Sequence, residues 1–394
     1  MRAAGVIAEF NPFHTGHTDH LHHTRKITGR KAIVAVMSGN FVQRGEPALV
    51  DKWRRTKMAL ISGIDIVIEL PLPFVIAGAD YFARAGVKLL ASTGIVDVIS
   101  FGSECGNIGV IREAGNILAT EPPEFKERLK AELKAGKSFA GAHKTALSYC
   151  LRDVPDGLLS MPNNGLAIEY CKALELIGSP MEAVTTHRAS GGPSATKIRK
   201  SILMGKANEV NCDLVEPEIL EILLEANIEG KFAELDDFSQ AFKFMLCHES
   251  CKGLFSEGID NRFRRLSGNY SRLTHILSSV KTKRYTLTRL QRIALSVVLG
   301  IDKCDMDFFE TQGGVQYIRV LGFRKESADL LGDISKKASL PIITHGAEID
   351  KLLYTGGAAA KMLAKEFEAG DIYRLATGVK GGFRSERRQG LVIV

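Results

Sequence analysis

Short apolar runs alternate with stretches of helical period through the first half of the chain. Ala3 to Phe10 is small, branched and apolar, and it stops at Asn11-Pro12, which predicts a strand entering a turn. A helix is expected to start near Gly16 and His17 and to continue through Thr18 to Ile27. The strand signal returns at Lys31 to Met37, Asp65 to Leu70, Val96 to Phe101 and Met181 to Thr186. The helical period returns at Trp53 to Ser62, Tyr81 to Ala91 and Gly165 to Ile177. Such alternation predicts an α/β fold: a Rossmann-like parallel sheet covered on both faces, with ligands beyond the carboxyl ends of its strands. Ile108 to Leu151 is helical and charged, and reads as an insertion into that unit or a helical pair beside it.

Beyond about residue 205 the alternation stops, and Pro217 to Ala226 and Asp236 to Cys247 follow as helices. The expectation is two domains: residues 1–205 as a nucleotide-binding α/β unit and residues 206–394 as a mainly helical, basic unit. Leu391 to Val394 is apolar and reads as a docked edge strand.

Composition changes this picture little: 45% hydrophobic and 25% charged residues suit a soluble protein. No apolar run approaches the roughly 20 residues that a membrane helix requires, and the amino terminus lacks a signal-peptide pattern, so a cytoplasmic location is expected. Seven scattered cysteines point to reduced thiols. Cys247, His248 and Cys251 lack a second ligand pair, so no metal site is assigned there. Lysine and arginine number 52 against 45 acidic residues, giving +7 and permitting a polyanionic partner.

The chemistry concentrates at the first turn. A helix N-terminus offers unpaired N–H groups and partial positive charge to a phosphate. Gly16 lets a phosphate approach the backbone, and His14 and His17 flank that gap with ring N–H donors. The plain alternative is a turn with two surface histidines. A second glycine-rich turn, Gly191-Gly192-Pro193, runs into Ser194 to Arg199 after His187-Arg188; a capped helix with solvated cations is its alternative. Two basic stretches, Glu257 to Arg265 and Lys281 to Arg292, mix cations with aromatic and hydroxyl side chains, which suits structured RNA as well as a solvated face.

His-x-Gly-His after a first strand resembles the signature of the nucleotidyltransferase superfamily. With Met37-Ser38-Gly39-Asn40-Phe41-Val42-Gln43-Arg44-Gly45-Glu46-Pro47-Ala48, the text is similar to the tRNA(Met) cytidine acetate ligase family. The resemblance spans nearly the whole chain. It implies ATP, with Mg²⁺ accompanying the nucleotide, at Ile7, Ala8, Glu9, Phe10, Asn11, Pro12, Phe13, His14, Thr15, Gly16, His17, Thr18, Asp19 and His20, with His14 and His17 catalytic. Gly102, Asn163, Asn164, His187, Arg188, Ser194, Thr196 and Arg199 complete that site, the last three as the superfamily's Ser-x-Thr-x-x-Arg signature. Gln43, Arg44 and Glu46 are candidates for the substrate side. Arg262, Arg264, Arg265, Lys281, Lys283, Arg284, Arg289 and Arg292 are candidates for tRNA. The implied reaction activates acetate as acetyl-adenylate and transfers acetyl to N4 of the wobble cytidine of elongator tRNA(Met), with no membrane and no stable protein partner. The chain departs from the family pattern at Gly165-Leu166-Ala167-Ile168, where a bulkier first residue and a glycine before the isoleucine are expected. A small-molecule adenylyltransferase making a dinucleotide cofactor, and a non-catalytic RNA-binding protein on a nucleotide fold, are the alternatives.

Overall fold

The structure, a computed structural model, describes residues 2–188, 194–206, 210, 213–229, 232–248, 259–282, 285–378 and 386–394. Its strands are β1 (Ala3–Ala8), β2 (Ala32–Ser38), β3 (Phe41–Val42), β4 (Glu46–Pro47), β5 (Ile66–Leu70), β6 (Val96–Ser103), β7 (Glu182–His187), β8 (Ile318–Phe323), β9 (Ile342–Ile343) and β10 (Val392–Ile393). The first helices are α1 (Thr15–Thr28), α2 (Lys52–Ile61), α3 (Leu72–Val75), α4 (Ala79–Ser92), α5 (Ile108–Thr120), α6 (Pro123–Lys134), α7 (Phe139–Cys150), α8 (Pro162–Ile177) and α9 (Ala195–Leu203). They are followed by α10 (Pro217–Ile228), α11 (Ser239–Cys247), α12 (Ile259–Ser267), α13 (Leu273–Val280), α14 (Leu287–Leu299), α15 (Lys303–Thr311), α16 (Ala328–Lys337), α17 (Gly346–Thr355) and α18 (Gly357–Ala376).

The sheet runs β10-β8-β5-β2-β1-β6-β7, with β9 joined to β8. Strands β5, β2, β1, β6 and β7 are parallel neighbours. All of β5 and nearly all of β2 are buried, as expected where helices cover both faces. Helix α4 lies so close to β1 that a Cβ on Gly86 would sit 2.7 Å from the Ile7 side chain. Between β6 and β7 lie α5 to α7, the helical segment expected from its period, followed by α8.

The second half does not stay apart from this sheet. It is mainly helical through α15 and then supplies β8, which pairs antiparallel with β5. β10 pairs with β8, so the apolar tail is an edge strand. Beneath them Lys52 and Arg319 are buried with Glu69, Glu366 and Glu386. Lys52 Nζ is 2.6 Å from Glu69 and also contacts Glu386. Arg319 Nη1 lies 3.0 Å from Glu69, 2.9 Å from Glu386 and 3.3 Å from Glu366.

Candidate active site

β1 ends at Ala8, and the turn after it passes through Phe10 at φ 45° and a cis Asn11–Pro12 peptide before α1 begins. Phe13 is fully buried and Phe10 nearly so, and both rings pack against His17 at 5.1 Å between centroids. The side chains of Phe10, Pro12 and Phe13 thus serve packing, and that packing holds His17 in place. His14 stacks on His17 at 3.8 Å, and its backbone N–H donates to His17 Nδ1 at 3.2 Å. Burial lowers all three imidazoles of the turn. His14 falls to about 4, helped by the positive charge of Arg188 and opposed by a backbone hydrogen bond. His17 falls well below its ordinary value, with His14, Arg188 and His20 adding to burial. His20 falls to about 4 and bonds Thr186 Oγ1 at 2.9 Å. These rings are neutral at pH 7 and offer N–H donors without carrying charge.

Other members of the turn face elsewhere. Thr15 Oγ1 donates to the Asp213 carbonyl at 3.0 Å and Thr18 Oγ1 to Glu216 at 2.7 Å, so both hydroxyl protons are engaged within the protein. Asp19 is exposed, and its carbonyl accepts from His23. Asn11 is buried; its Oδ1 accepts the Leu49 N–H at 2.8 Å, and its Nδ2 has no partner among the described residues.

The start of α9 meets the first turn directly. Ser194 occupies the N-cap of α9 without a capping hydrogen bond from its side chain among the described residues. Arg199 Nη1 donates to the Asn11 carbonyl at 2.8 Å, and Nη2 lies 3.5 Å from Thr196 Oγ1 and 3.7 Å from Glu46. Gly191 to Pro193 lie outside the described residues. His187 and Arg188 end β7 and are exposed, with the Arg188 N–H on the Ser103 carbonyl at 2.8 Å. Gly102 lies next to Ser103 in β6 and is half-buried.

Asn163 and Asn164 separate here. Neither caps α8, whose N-cap is Met161. Asn164 is fully buried, with its amide on the Gly157 carbonyl and its Oδ1 on the Cys105 N–H. Asn163 is half-buried and bonds Glu104 at 2.7 Å. Of the two, Asn163 alone can reach a ligand without unpacking the core.

The hairpin β3–β4 closes the opposite side. Glu9 accepts the Gln43 N–H at 2.7 Å; burial pushes its carboxyl above the ordinary range, against the pull of that bond and of Arg44, Arg199 and Arg55. Glu46 accepts from Gln291 Nε2 at 3.1 Å. Arg292 Nη1 reaches the Gln43 carbonyl at 3.5 Å. Gly45, at φ 79°, packs so tightly that a Cβ there would lie 2.4 Å from the Arg292 nitrogen. A residue absent from the sequence reading organises this wall: Arg55, wholly buried, donates to the carbonyls of Glu9, Ser38, Gly39 and Val50. The available signal was its place on the same helical face as Met58 and Ala59.

The basic stretches divide. Arg262 holds the end of α13 through the Val280 and Ser279 carbonyls, and Arg264 holds the end of α11 through those of Leu246 and His248. Both therefore serve as helix-end braces. Arg265 and Lys281 are exposed, and Arg289 lies over the Tyr285 ring at 5.2 Å. Lys283 and Arg284 lie outside the described residues, as does Cys251 of the rejected metal candidate. No cluster of three or more His, Cys, Asp or Glu side chains able to hold a metal occurs among the described residues. No helix among them is long and apolar enough to cross a membrane.

The sequence profile of the HIGH Nucleotidyl Transferase family matches residues 1–388. The tRNA(Met) cytidine acetate ligase of Thermoanaerobacter sp. (strain X514) is 39% identical over 392 residues, covering 95% of this chain and 96% of that one. The protein of the same name from Clostridium perfringens is 38% identical over 378 residues, covering 90% and 92%. The crystal structure of Thermotoga maritima TmcAL bound with alpha-thio ATP superposes with a TM-score of 0.92 at 32% identity, covering 100% of both chains.

Proposed function

The chain belongs to the HIGH nucleotidyl transferase family, in the group of the tRNA(Met) cytidine acetate ligases, and from that premise we propose that it acetylates the wobble cytidine of elongator tRNA(Met) at the expense of ATP. The observation that carries the reading is the junction of two helix N-termini through the bond from Arg199 to the Asn11 carbonyl, beside neutral His14 and His17. In the first step the acetate oxygen attacks the α-phosphorus and pyrophosphate leaves. Two anions must meet, so the protein supplies positive potential and position. Arg188, Arg199 and the start of α9 hold the triphosphate, while the imidazole N–H groups of His14 and His17 follow charge onto the phosphoryl oxygens. In the second step N4 of cytidine attacks the acetyl carbonyl and AMP departs.

Mg²⁺ enters this scheme with the nucleotide, as part of the substrate. The hairpin β3–β4 and α14 form the wall against which the tRNA is presented, with Arg289 and Arg292 on α14, and Arg265 and Lys281 are exposed cations of the same half. The test is nucleoside mass spectrometry after incubation with ATP, Mg²⁺, isotope-labelled acetate and unmodified elongator tRNA(Met). Labelled N4-acetylcytidine at the wobble position is the expected product. ATP turnover that ignores acetate would replace this reading with a small-molecule adenylyltransferase.

A further inference from the structure

Acetyl transfer leaves one proton to be assigned. The exocyclic amine of cytosine is conjugated with its ring, so it attacks well only as a proton departs, and that calls for an acceptor within hydrogen-bond reach. Most candidates beside the two turns are engaged. Glu104 accepts from Asn163 and Asn164 through both oxygens. Glu46 faces Arg199 and Gln291. His17 Nδ1 holds the His14 N–H. His14 Nδ1 has no partner among the described residues, but it sits at the α1 start on the phosphate side, and its depressed basicity makes it a poor acceptor.

Glu9 differs from all of these. One carboxylate oxygen is anchored by the Gln43 N–H at 2.7 Å, and the other makes no hydrogen bond among the described residues. Its own carbonyl is held by Arg55 at 2.6 Å, so the backbone beneath the side chain is fixed. The carboxylate lies where the nucleotide turn, the hairpin and α14 converge, since Gln43 passes the contact on to Arg292. Resting on the reading given above, we propose that Glu9 is a catalytic residue: the general base that takes the N4 proton as cytidine attacks acetyl-adenylate. The N4–acetyl carbon bond forms, the bond from that carbon to the phosphate oxygen breaks, and its electron pair leaves with AMP. The proton passes from N4 to Glu9 and then to water. Burial raises the basicity of this carboxylate, with Arg44, Arg199 and Arg55 limiting the rise, which suits an acceptor working near neutrality.

The test separates the half-reactions. Glu9→Gln keeps an oxygen for the Gln43 N–H and removes the base. Acetate-dependent exchange of pyrophosphate into ATP reports the first step and the integrity of the fold. Single-turnover transfer from preformed acetyl-adenylate to unmodified elongator tRNA(Met), followed from pH 5 to 8, reports the second. For the variant, transfer is expected to fall by roughly a hundredfold or more, and by at least about tenfold more than exchange does. The loss of transfer rate toward acid pH that Glu9 protonation causes in the unmodified protein should be missing from the variant. Transfer within about threefold of the unmodified protein, or an equal fall in both steps, overturns the assignment. Failure of the unmodified protein to form N4-acetylcytidine at all would instead overturn the function on which the assignment rests.

Discussion

At the residue scale the proposed chemistry depends on imidazoles kept neutral. His14 and His17 stack in a pocket of Phe10 and Phe13, and burial together with Arg188 disfavours their protonated forms. A neutral ring donates one N–H to a phosphoryl oxygen without competing with Arg199 for counter-charge. His17→Ala should therefore lower acetate-dependent pyrophosphate exchange by about a hundredfold or more. Its affinity for tRNA in a filter-binding assay should change by less than about threefold, because the ring sits on the phosphate side. The same burial links stability to pH. His14 and His20 have folded values near 4 against 6.5 in an open chain. Between those values the unfolded state binds more protons, so the stabilisation is complete above pH 6.5 and is lost as pH falls toward 4. Each ring contributes up to roughly 3 kcal/mol to that slope. His20→Asn should flatten part of it in urea titrations at pH 7, 5.5 and 4.5.

At the element scale the hairpin β3–β4 is the piece that joins nucleotide chemistry to the second half of the chain. It is held from below by Arg55, which caps four carbonyls, and from the side by α14. Gly45→Ala would require a strained left-handed alanine and place a methyl against the Arg292 backbone. The hairpin should lift from α14, reducing kcat/KM for tRNA by about tenfold or more while ATP binding by calorimetry stays within about twofold. Much of this architecture was legible. Period-two and period-3.6 patterns located β1, β2, β5, β6 and β7 and the helices between them, and the spacing of His14, Gly16 and His17 located the first turn. Three things were not legible because they depend on contacts distant in sequence. Thr15 and Thr18 turn toward Asp213 and Glu216. Arg262 and Arg264, which read as part of a basic face, brace helix ends. Gly45 meets Arg292 across some two hundred and fifty residues, and no local pattern encodes such a contact.

At the scale of the whole molecule, the question is what makes the two halves one structure. β8 and β10 extend the first half's sheet, and the buried charges beneath them set how firmly. Two cations, Lys52 and Arg319, face three carboxylates. Burial and the nearby Glu69 charge push Glu366 up to about 8, against Arg319 and Lys52. Glu386 is held below its ordinary value, Lys52 and Arg319 outweighing the cost of burial. At pH 7 the cluster is therefore neutral: Glu69 and Glu386 balance Lys52 and Arg319, while Glu366 carries a proton. Because its folded value is raised, Glu366 contributes stability that is complete below pH 4.5 and lost as pH rises through about 8. Glu366→Gln mimics the protonated form, so its urea midpoint should fall less than that of the unmodified protein between pH 6 and 9. Glu386→Gln should do the opposite to Glu366. With one carboxylate gone, a buried cation is left unbalanced, which costs roughly 3–5 kcal/mol if nothing else changes. Glu366 can restore the balance by giving up its proton, so the alkaline loss of stability should shrink in that variant as well. Both halves share this cluster, so unfolding of Glu386→Gln followed by Trp53 fluorescence and by far-UV circular dichroism should give one coincident transition, shifted to lower urea. Two separate transitions would show that β8 and β10 rest on the sheet without coupling the halves.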